Sequence, residues 1–227
     1  MRPNPDYSMT DEAEVADLLR RFPWCAIVSH VPGRGIVASH YPVMVDEEAE
    51  GLTVFGHVGK PDQKIHELGQ HELTIIVEGP QGYVSPGWYG VSPAVPTWNF
   101  VVAHLTGTPE VVSQEENLRL MDVLVNHFED HADEPARLHA SAANTEYAER
   151  IIGGTVAFRM KVERFEAKRK MSQDKPDAVV DRVIERLSAP GPFSNPPLAR
   201  YMTETRGRGA QRGLDKHSSP QRGSYGR

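Results

Sequence analysis

The 227-residue chain is 39% hydrophobic and 25% charged, with a formal net charge of −6. That is ordinary globular chemistry, enough for one domain with appendages, and no apolar run is long enough to cross a bilayer. One cysteine, Cys25, excludes an internal disulfide, and the first residues lack an apolar signal core, so the expected setting is reducing and cytoplasmic.

In chain order, "TDEAEVADLLRRF" reads as a helix that Asp11 can cap, with Val15, Leu18, Leu19 and Phe22 on one face and Pro23 as its stop. Cys25 follows in "WCAIVSHV", a predicted strand, where it reads as a small buried hydrophobe. "PGRG" turns the chain into a second strand, "IVASHYPVMV", and "DEEAEG" turns it again into "LTVFGHV". No helices separate these strands, so they form an antiparallel meander. "KPDQKIHELGQ" is a short helix with Pro61 in its first turn and Gly69 at its end. "LTIIVEG" is a buried strand.

The next stretch, Tyr83 to Phe100, holds two of the three tryptophans, three prolines and no charge. It leads into "WNFVVAHLTGTPEVV", read as a strand pair. "SQEENLRLMDVLVNHFEDH" is a helix with Ser113 and Glu116 as a capping box and Leu118, Met121, Leu124, Val125 and Phe128 as its apolar face. "NTEYAERIIGG" is a further helix closed by glycines. "TVAFRMKVERFEAKRKMSQ" alternates with Val156, Phe158, Met160 and Val162 on one side until Phe165 breaks the phase, which implies a bulge or bend. "PDAVVDRVIERLS" is the last amphipathic helix. About seven sequential strands with helices at the edges predict a mainly β (α+β) fold, a small barrel or sandwich.

Charge divides the chain. Ala189–Arg227 holds seven basic residues against Glu204 and Asp215, a net of +5 in a chain of −6, which leaves −11 for residues 1–188. Residues 1–188 are therefore expected to form the folded domain. Residues 189–227 read as a disordered, basic Arg/Gly-rich tail, and nucleic acid could be met only through it.

Several residues could carry chemistry. His127 and His131 share a helix face, but Phe128 stands where a zinc-protease glutamate would be, so no metal site is expected. Gly-rich phosphate loops and Gly-x-Ser-x-Gly elbows are absent from the sequence. "ASHYP" (Ala38 to Pro42) puts a histidine and then a proline in a strand, which marks an edge or break. "FGHVGK" ends a strand with His57, and Lys60 and Lys64 flank the next short helix, where two cations suit a phosphate. "EAKRKMSQDK" places Lys168 and Lys170 on one face of a strand, a solvated edge or a second cationic site.

Taken in order, "ASHYP", "GHVGK", "GYVSPGWY", "VPTWNF" followed by His104, and "AKRKMSQDK" resemble the PaiB-type family, known as FMN-binding negative transcriptional regulators, from about Tyr7 to about Leu187. The resemblance implies a split β-barrel of the FMN-binding type with peripheral helices, a homodimer, and FMN where two barrels meet. It implies a flavin ring along the strand of Ser39, His40 and Tyr41. It implies a phosphate near His57, Val58, Lys60 and Lys64, and a matching Lys-x-Lys-x-Ser-Gln run at Lys168, Lys170, Ser172 and Gln173. Asp62 stands where many members carry a neutral amide, and a carboxylate there would repel a phosphate. Trp88 and Trp98 are expected to shape the pocket and the interface, with Asn99 as a polar contact to the cofactor.

Three activities stay open on this reading. One is a flavin-binding oxidoreductase-like protein, and another is a non-catalytic or flavin-dependent transcriptional regulator. A third is a haem enzyme like the piperazate synthases, which form an N–N bond, with His57, His40 or His104 as axial ligand. No catalytic residue is assigned.

Overall fold

A computed structural model describes residue 1 and residues 4–210. Nine strands form one sheet in the order β1-β9-β6-β5-β2-β3-β4-β8-β7. They are β1 (Ser8–Met9), β2 (Trp24–Val31), β3 (Gly35–Val45), β4 (Thr53–Gly59), β5 (Leu73–Val84), β6 (Thr97–Gly107), β7 (Glu110–Val111), β8 (Thr155–Lys161) and β9 (Arg164–Lys170). The helices are α1 (Glu12–Arg21), α2 (Lys60–Ile65), α3 (Gln114–Glu129), α4 (Ala142–Ile151), α5 (Asp177–Ser188) and α6 (Pro196–Ala210). The predicted meander is present: β2 pairs antiparallel with β3, and β3 with β4.

The chain divides into two compact units. The larger holds Ser8–Gly79 and Val102–Lys168, and the smaller holds Asn4–Tyr7, Pro80–Val101 and the described residues from Arg169 to Ala210. In the larger unit, strand alternation sorts side chains between two faces. Cys25, Ile27, Ser29 and Val31 of β2 are all buried, whereas Trp24 and His30 on the other face are exposed. α1 starts as predicted: the Asp11 carboxylate accepts from the Ala13 N–H at 2.9 Å, and Val15, Leu18 and Leu19 are buried. Burial pushes the Cys25 thiol up to about 12, in keeping with a small core side chain.

α3 is capped by Ser113, whose hydroxyl accepts from the Glu116 N–H at 3.2 Å. Its inward face matches the expected one only in part, with Leu124 packed on the core as expected. Asn117 and Leu120 are buried, whereas Leu118, Met121, Leu124 and Val125 are half-buried and Phe128 is exposed. The helix turns Leu120 onto Met44, Phe55 and Ala157, a layer of β3, β4 and β8. An ion-pair chain pins its first turn. The Arg159 guanidinium donates to Asp46 at 2.5 Å and to Glu116 at 2.9 Å, and Arg119 holds Glu116 from the other side at 2.8 Å. Those hydrogen bonds hold the Glu116 carboxyl down at about 2.

Three expectations need correction. The stretch from Thr155 is two strands, not one bent strand: β8 pairs with β4 and β7, and β9 pairs with β1. The phase change at Phe165 is the passage from one strand to the next. The second strand of "WNFVVAHLTGTPEVV" is only β7, and it pairs with β8. Residues 196–210 are helix α6, not disordered tail. Leu198, Ala199, Tyr201, Met202 and Thr205 are buried there, spaced at three and four residues as one helix face requires, and Arg206 is paired with Asp177 and Asp181 in α5. The rest of the expected tail, 211–227, lies outside the described residues.

In the smaller unit, residues 85–96 between β5 and β6 are an ordered loop. A 3-10 turn at Pro86–Trp88 is capped by the Ser85 hydroxyl, which accepts from the Gly87 N–H at 3.2 Å. Arg182 of α5 donates to the carbonyls of Trp88 and Tyr89, so an uncharged aromatic loop is held by one guanidinium. Among the described residues no helix is long and apolar enough to cross a membrane.

Candidate functional site

β3 carries the residues of "ASHYP", and its alternation separates them. Ser39 and Tyr41 share a face with Cys25 and Ile27, their register partners being Ile27 and Cys25. His40 is on the opposite, exposed face, where its ring stacks on Trp24 with centroids 6.4 Å apart and planes 20° from parallel. A flat ligand on one side of this strand can therefore meet His40 or the pair Ser39 and Tyr41, but not all three side chains.

On the His40 face the sheet is open. Trp24 is 61% exposed and Ile36 76%. Beside them a cleft of about 500 Å³ is lined by Phe22, Pro23, Trp24, Pro42 and Phe128, with Arg21 and Glu78 as its charged groups. Apolar, ring-lined walls with a few polar groups are what planar ligands occupy. The sequence offered no signal for this cleft, because its walls come from a helix end, two strand residues and a helix almost ninety residues further on.

On the Ser39 face, His66 follows α2 and is 2% exposed. Its Nδ1 is 2.8 Å from the Ser29 hydroxyl and its Nε2 is 3.0 Å from the Ser39 hydroxyl. Burial lowers its pKa, so the ring is neutral, with one nitrogen donating and the other accepting. Sequence reading gave His66 no role, since nothing local reveals that two serines on neighbouring strands converge on it.

At the start of α2 the Tyr41 hydroxyl donates to the Asp62 carboxylate and accepts from the Gly59 N–H at 3.1 Å. Burial first, then the Asp62 hydrogen bond, raises the Tyr41 pKa. Lys60 opens this short helix and Lys64 lies in its last turn, and both are exposed. Val58 points into the core, 1% exposed, and offers a ligand only its backbone.

His57 lies on the other face of β4. It is 6% exposed, and neither ring nitrogen has a hydrogen-bond partner among the described residues. Burial lowers its pKa, and the nearby Asn117 backbone offsets only part of that. The Asn117 Oδ1 is likewise buried without a partner among the described residues. Buried polar groups are normally satisfied, so an orphaned neutral imidazole marks a place where something outside the chain can bond. His104, half-buried on β6, is also held neutral, with burial as the largest cause.

The residues expected from the aromatic stretch and from β9 have other partners. Asn99 is 0% exposed. Its Nδ2 donates to the Ser172 hydroxyl at 2.9 Å, and that hydroxyl donates to its Oδ1 at 3.2 Å. Its amide also reaches the Met202 sulfur at 3.5 Å. Asn99 is thus a core hydrogen-bonding residue and is not exposed for a cofactor to reach. Trp98 is 53% exposed and meets Tyr83 edge-on at 6.4 Å, while Phe193 packs on Tyr83 and Trp88 at 5.0 and 6.2 Å. The Lys170 ammonium donates to the Thr97 hydroxyl and lies 5.7 Å over the Tyr7 ring. Gln173 ties down a turn through the carbonyls of Asp6 and Arg169. Lys168 is half-buried and stands opposite Ser8 in the register of β1 and β9.

Comparison with known proteins places this geometry. Residues 1–164 match the family model described as "Putative FMN-binding domain". The chain is 25% identical over 200 residues to the protease synthase and sporulation protein PAI 2 of Bacillus subtilis, covering 87% of this chain and 92% of that one. The fold is similar to that of an FAD and heme binding protein from Mycobacterium smegmatis (TM-score 0.56, 17% identity, 72% and 73% of the two chains). It is also similar to the flavocytochrome Anf3 from Azotobacter vinelandii (TM-score 0.54, 15% identity, 72% and 69%). The expected split barrel is the fold these similarities show.

Proposed function

Because this chain belongs to the family of FMN-binding domains, we propose that it holds a flavin against the open face of its sheet, as a homodimer. The role is flavin-linked electron transfer or a flavin-dependent regulatory response. The observation that carries this reading is the stacked Trp24–His40 pair beside a ring-lined cleft of about 500 Å³. When bound, a flavin supplies hydride and single-electron transfer.

The chain's own residues do the rest. Trp24 and His40 present planar surface, and Phe22, Pro23, Pro42 and Phe128 exclude water. Lys60 and Lys64, at the first position and in the last turn of α2, add positive charge. Exposed apolar side chains on this face, Ile36 among them, favour covering it with a second copy. Purified protein should be yellow, release FMN on denaturation and sediment as a dimer. A colourless protein that cannot be loaded with flavin would overturn the reading. Bleaching of the flavin by NAD(P)H separates an oxidoreductase from a regulator that binds a promoter fragment without turnover.

One observation favours haem as a second reading: the buried, neutral His57 ring, which has no hydrogen-bond partner among the described residues. A neutral imidazole nitrogen is what an iron centre requires, and His57 would supply it. A Soret band that His57→Ala abolishes supports haem, and its absence after haem loading removes this reading.

A further inference from the structure

We propose that Ser39, His66 and Ser29 form a nucleophilic site that cleaves carboxylic esters: Ser39 attacks, His66 carries the proton, and Ser29 positions the His66 ring. The site lies wholly on the Ser39 face of β3, apart from the cleft beside Trp24, and it needs no flavin.

A hydroxyl nucleophile requires an accessible oxygen, a neutral base within hydrogen-bond reach, and a third group that orients the base. The His66 Nε2 is 3.0 Å from the Ser39 hydroxyl, and its Nδ1 is 2.8 Å from the Ser29 hydroxyl. The two serines differ in access. Ser29 is buried on β2 and can only hold the ring, whereas Ser39 is half-buried on β3 and can meet a substrate. In the tautomer that suits this division, Nδ1–H donates to Ser29 and Nε2 keeps its lone pair for the Ser39 proton. Burial keeps the ring neutral, and the Asp62 charge favours the imidazolium that forms when the proton arrives. α2 fixes the histidine in place. The His66 N–H donates to the Asp62 carbonyl at 2.8 Å, and the Asp62 carboxylate accepts from the Tyr41 hydroxyl.

The edge of β3 supplies a donor for the oxyanion. The Val43 N–H donates to the Pro23 carbonyl at 2.8 Å, so the odd-numbered residues of β3 exchange bonds with β2, and the His40 N–H points to the other edge. The ladder between β3 and β4 ends at Val43 and does not extend to that position. The N–H of the residue after a nucleophilic serine is well placed for the developing oxyanion.

Each step balances. The Ser39 Oγ bonds to the ester carbonyl carbon as its proton passes to the His66 Nε2, and the His40 N–H donates to the oxyanion. The C–O bond to the alcohol breaks, and Nε2–H protonates the leaving oxygen. Water then gives a proton to the same nitrogen and attacks the acyl–Ser39 ester. The acid leaves, and the proton returns to the Ser39 Oγ.

The test treats the full chain with a fluorophosphonate and locates the adduct by peptide mass spectrometry, with circular dichroism to confirm that each variant is folded. The wild type should be phosphonylated at Ser39, and it should hydrolyse p-nitrophenyl acetate above the level of Ser39→Ala. His66→Gln should slow the labelling at least about 100-fold. Ser29→Ala should lower kcat for p-nitrophenyl acetate about tenfold at unchanged KM, a split that loss of a merely structural serine would not give. No adduct at Ser39 in the folded wild type overturns the inference, and so does labelling that a folded His66→Gln leaves at the wild-type rate. If His66→Gln does not fold, faster labelling of native than of urea-unfolded wild type supports the site, and equal labelling overturns it. Flavin release on denaturation tests the cofactor reading separately, so the two can fail independently.

Discussion

Two buried polar side chains, one on β4 and one on β6, meet different fates in the folded protein. Asn99 on β6, in the smaller unit, has its amide oxygen and nitrogen both bonded to Ser172 and its nitrogen also near the Met202 sulfur. His57 on β4, in the larger unit, is buried nearly as fully, yet neither ring nitrogen has a hydrogen-bond partner among the described residues. A buried polar group that is satisfied internally stabilises the core and has nothing left to offer a ligand. One that is orphaned costs stability until something binds it. Burial alone does not separate structural from functional residues; hydrogen-bond accounting does.

The largest expected effect is at the satisfied site. Asn99→Ala should cost about 2–3 kcal/mol in urea unfolding, because it leaves the buried Ser172 hydroxyl without a partner. Flavin or haem affinity should not change, and a selective loss of affinity at unchanged stability would break the comparison from this side. The orphaned site should respond in the opposite sense. His57→Phe removes two unbonded nitrogens and keeps a ring of similar size, so stability should be unchanged or higher by up to about 1 kcal/mol. A destabilisation as large as that of Asn99→Ala would show that His57 is bonded after all.

Acidification sharpens the same contrast. His57, His66 and His104 all have lowered pKa values in the folded protein, with burial the largest cause. The unfolded chain then binds more protons than the folded one below the usual histidine value of about 6.5, so stability falls as pH drops through that value toward the folded ones. Denaturation midpoints between neutral pH and pH 5 should fall less steeply in His57→Phe than in the wild type, whereas Asn99→Ala should keep the wild-type slope. The smallest effect is at the exposed cations. Lys60→Ala should leave stability within about 0.5 kcal/mol and weaken FMN binding by only a few fold, since a solvated ammonium contributes little. Unchanged FMN affinity removes Lys60 from the site.

Much of the chain was legible beforehand. β2 was bounded to the residue by Pro23 and "PGRG", and α1 by Asp11 and Pro23, because caps and turn residues act within a few positions of themselves. The separation of Ser39 and Tyr41 from His40 also follows from strand alternation once β3 is recognised. Asn99 misled for a physical reason. Its sequence neighbours, Trp98 and Phe100, suggested a pocket, but its partners are 73 and 103 residues away. The composition of 189–227 likewise averaged an apolar helix face at Leu198, Tyr201 and Met202 into a basic, Gly-rich background.

By itself, then, the sequence determined the antiparallel meander, the capped helices, the family and the positions of His57, Lys60 and Asp62. Local propensity, turn chemistry and period-two burial act over short range and are written in adjacent residues. Only the tertiary structure decided which polar groups are spent and which are spare. It showed that Asp62 is held by Tyr41, that two serines converge on His66, that Ser172 satisfies Asn99 and that His57 has no hydrogen-bond partner among the described residues. Those facts depend on hydrogen bonds closed between segments far apart in the chain, where neither spacing nor composition carries a signal.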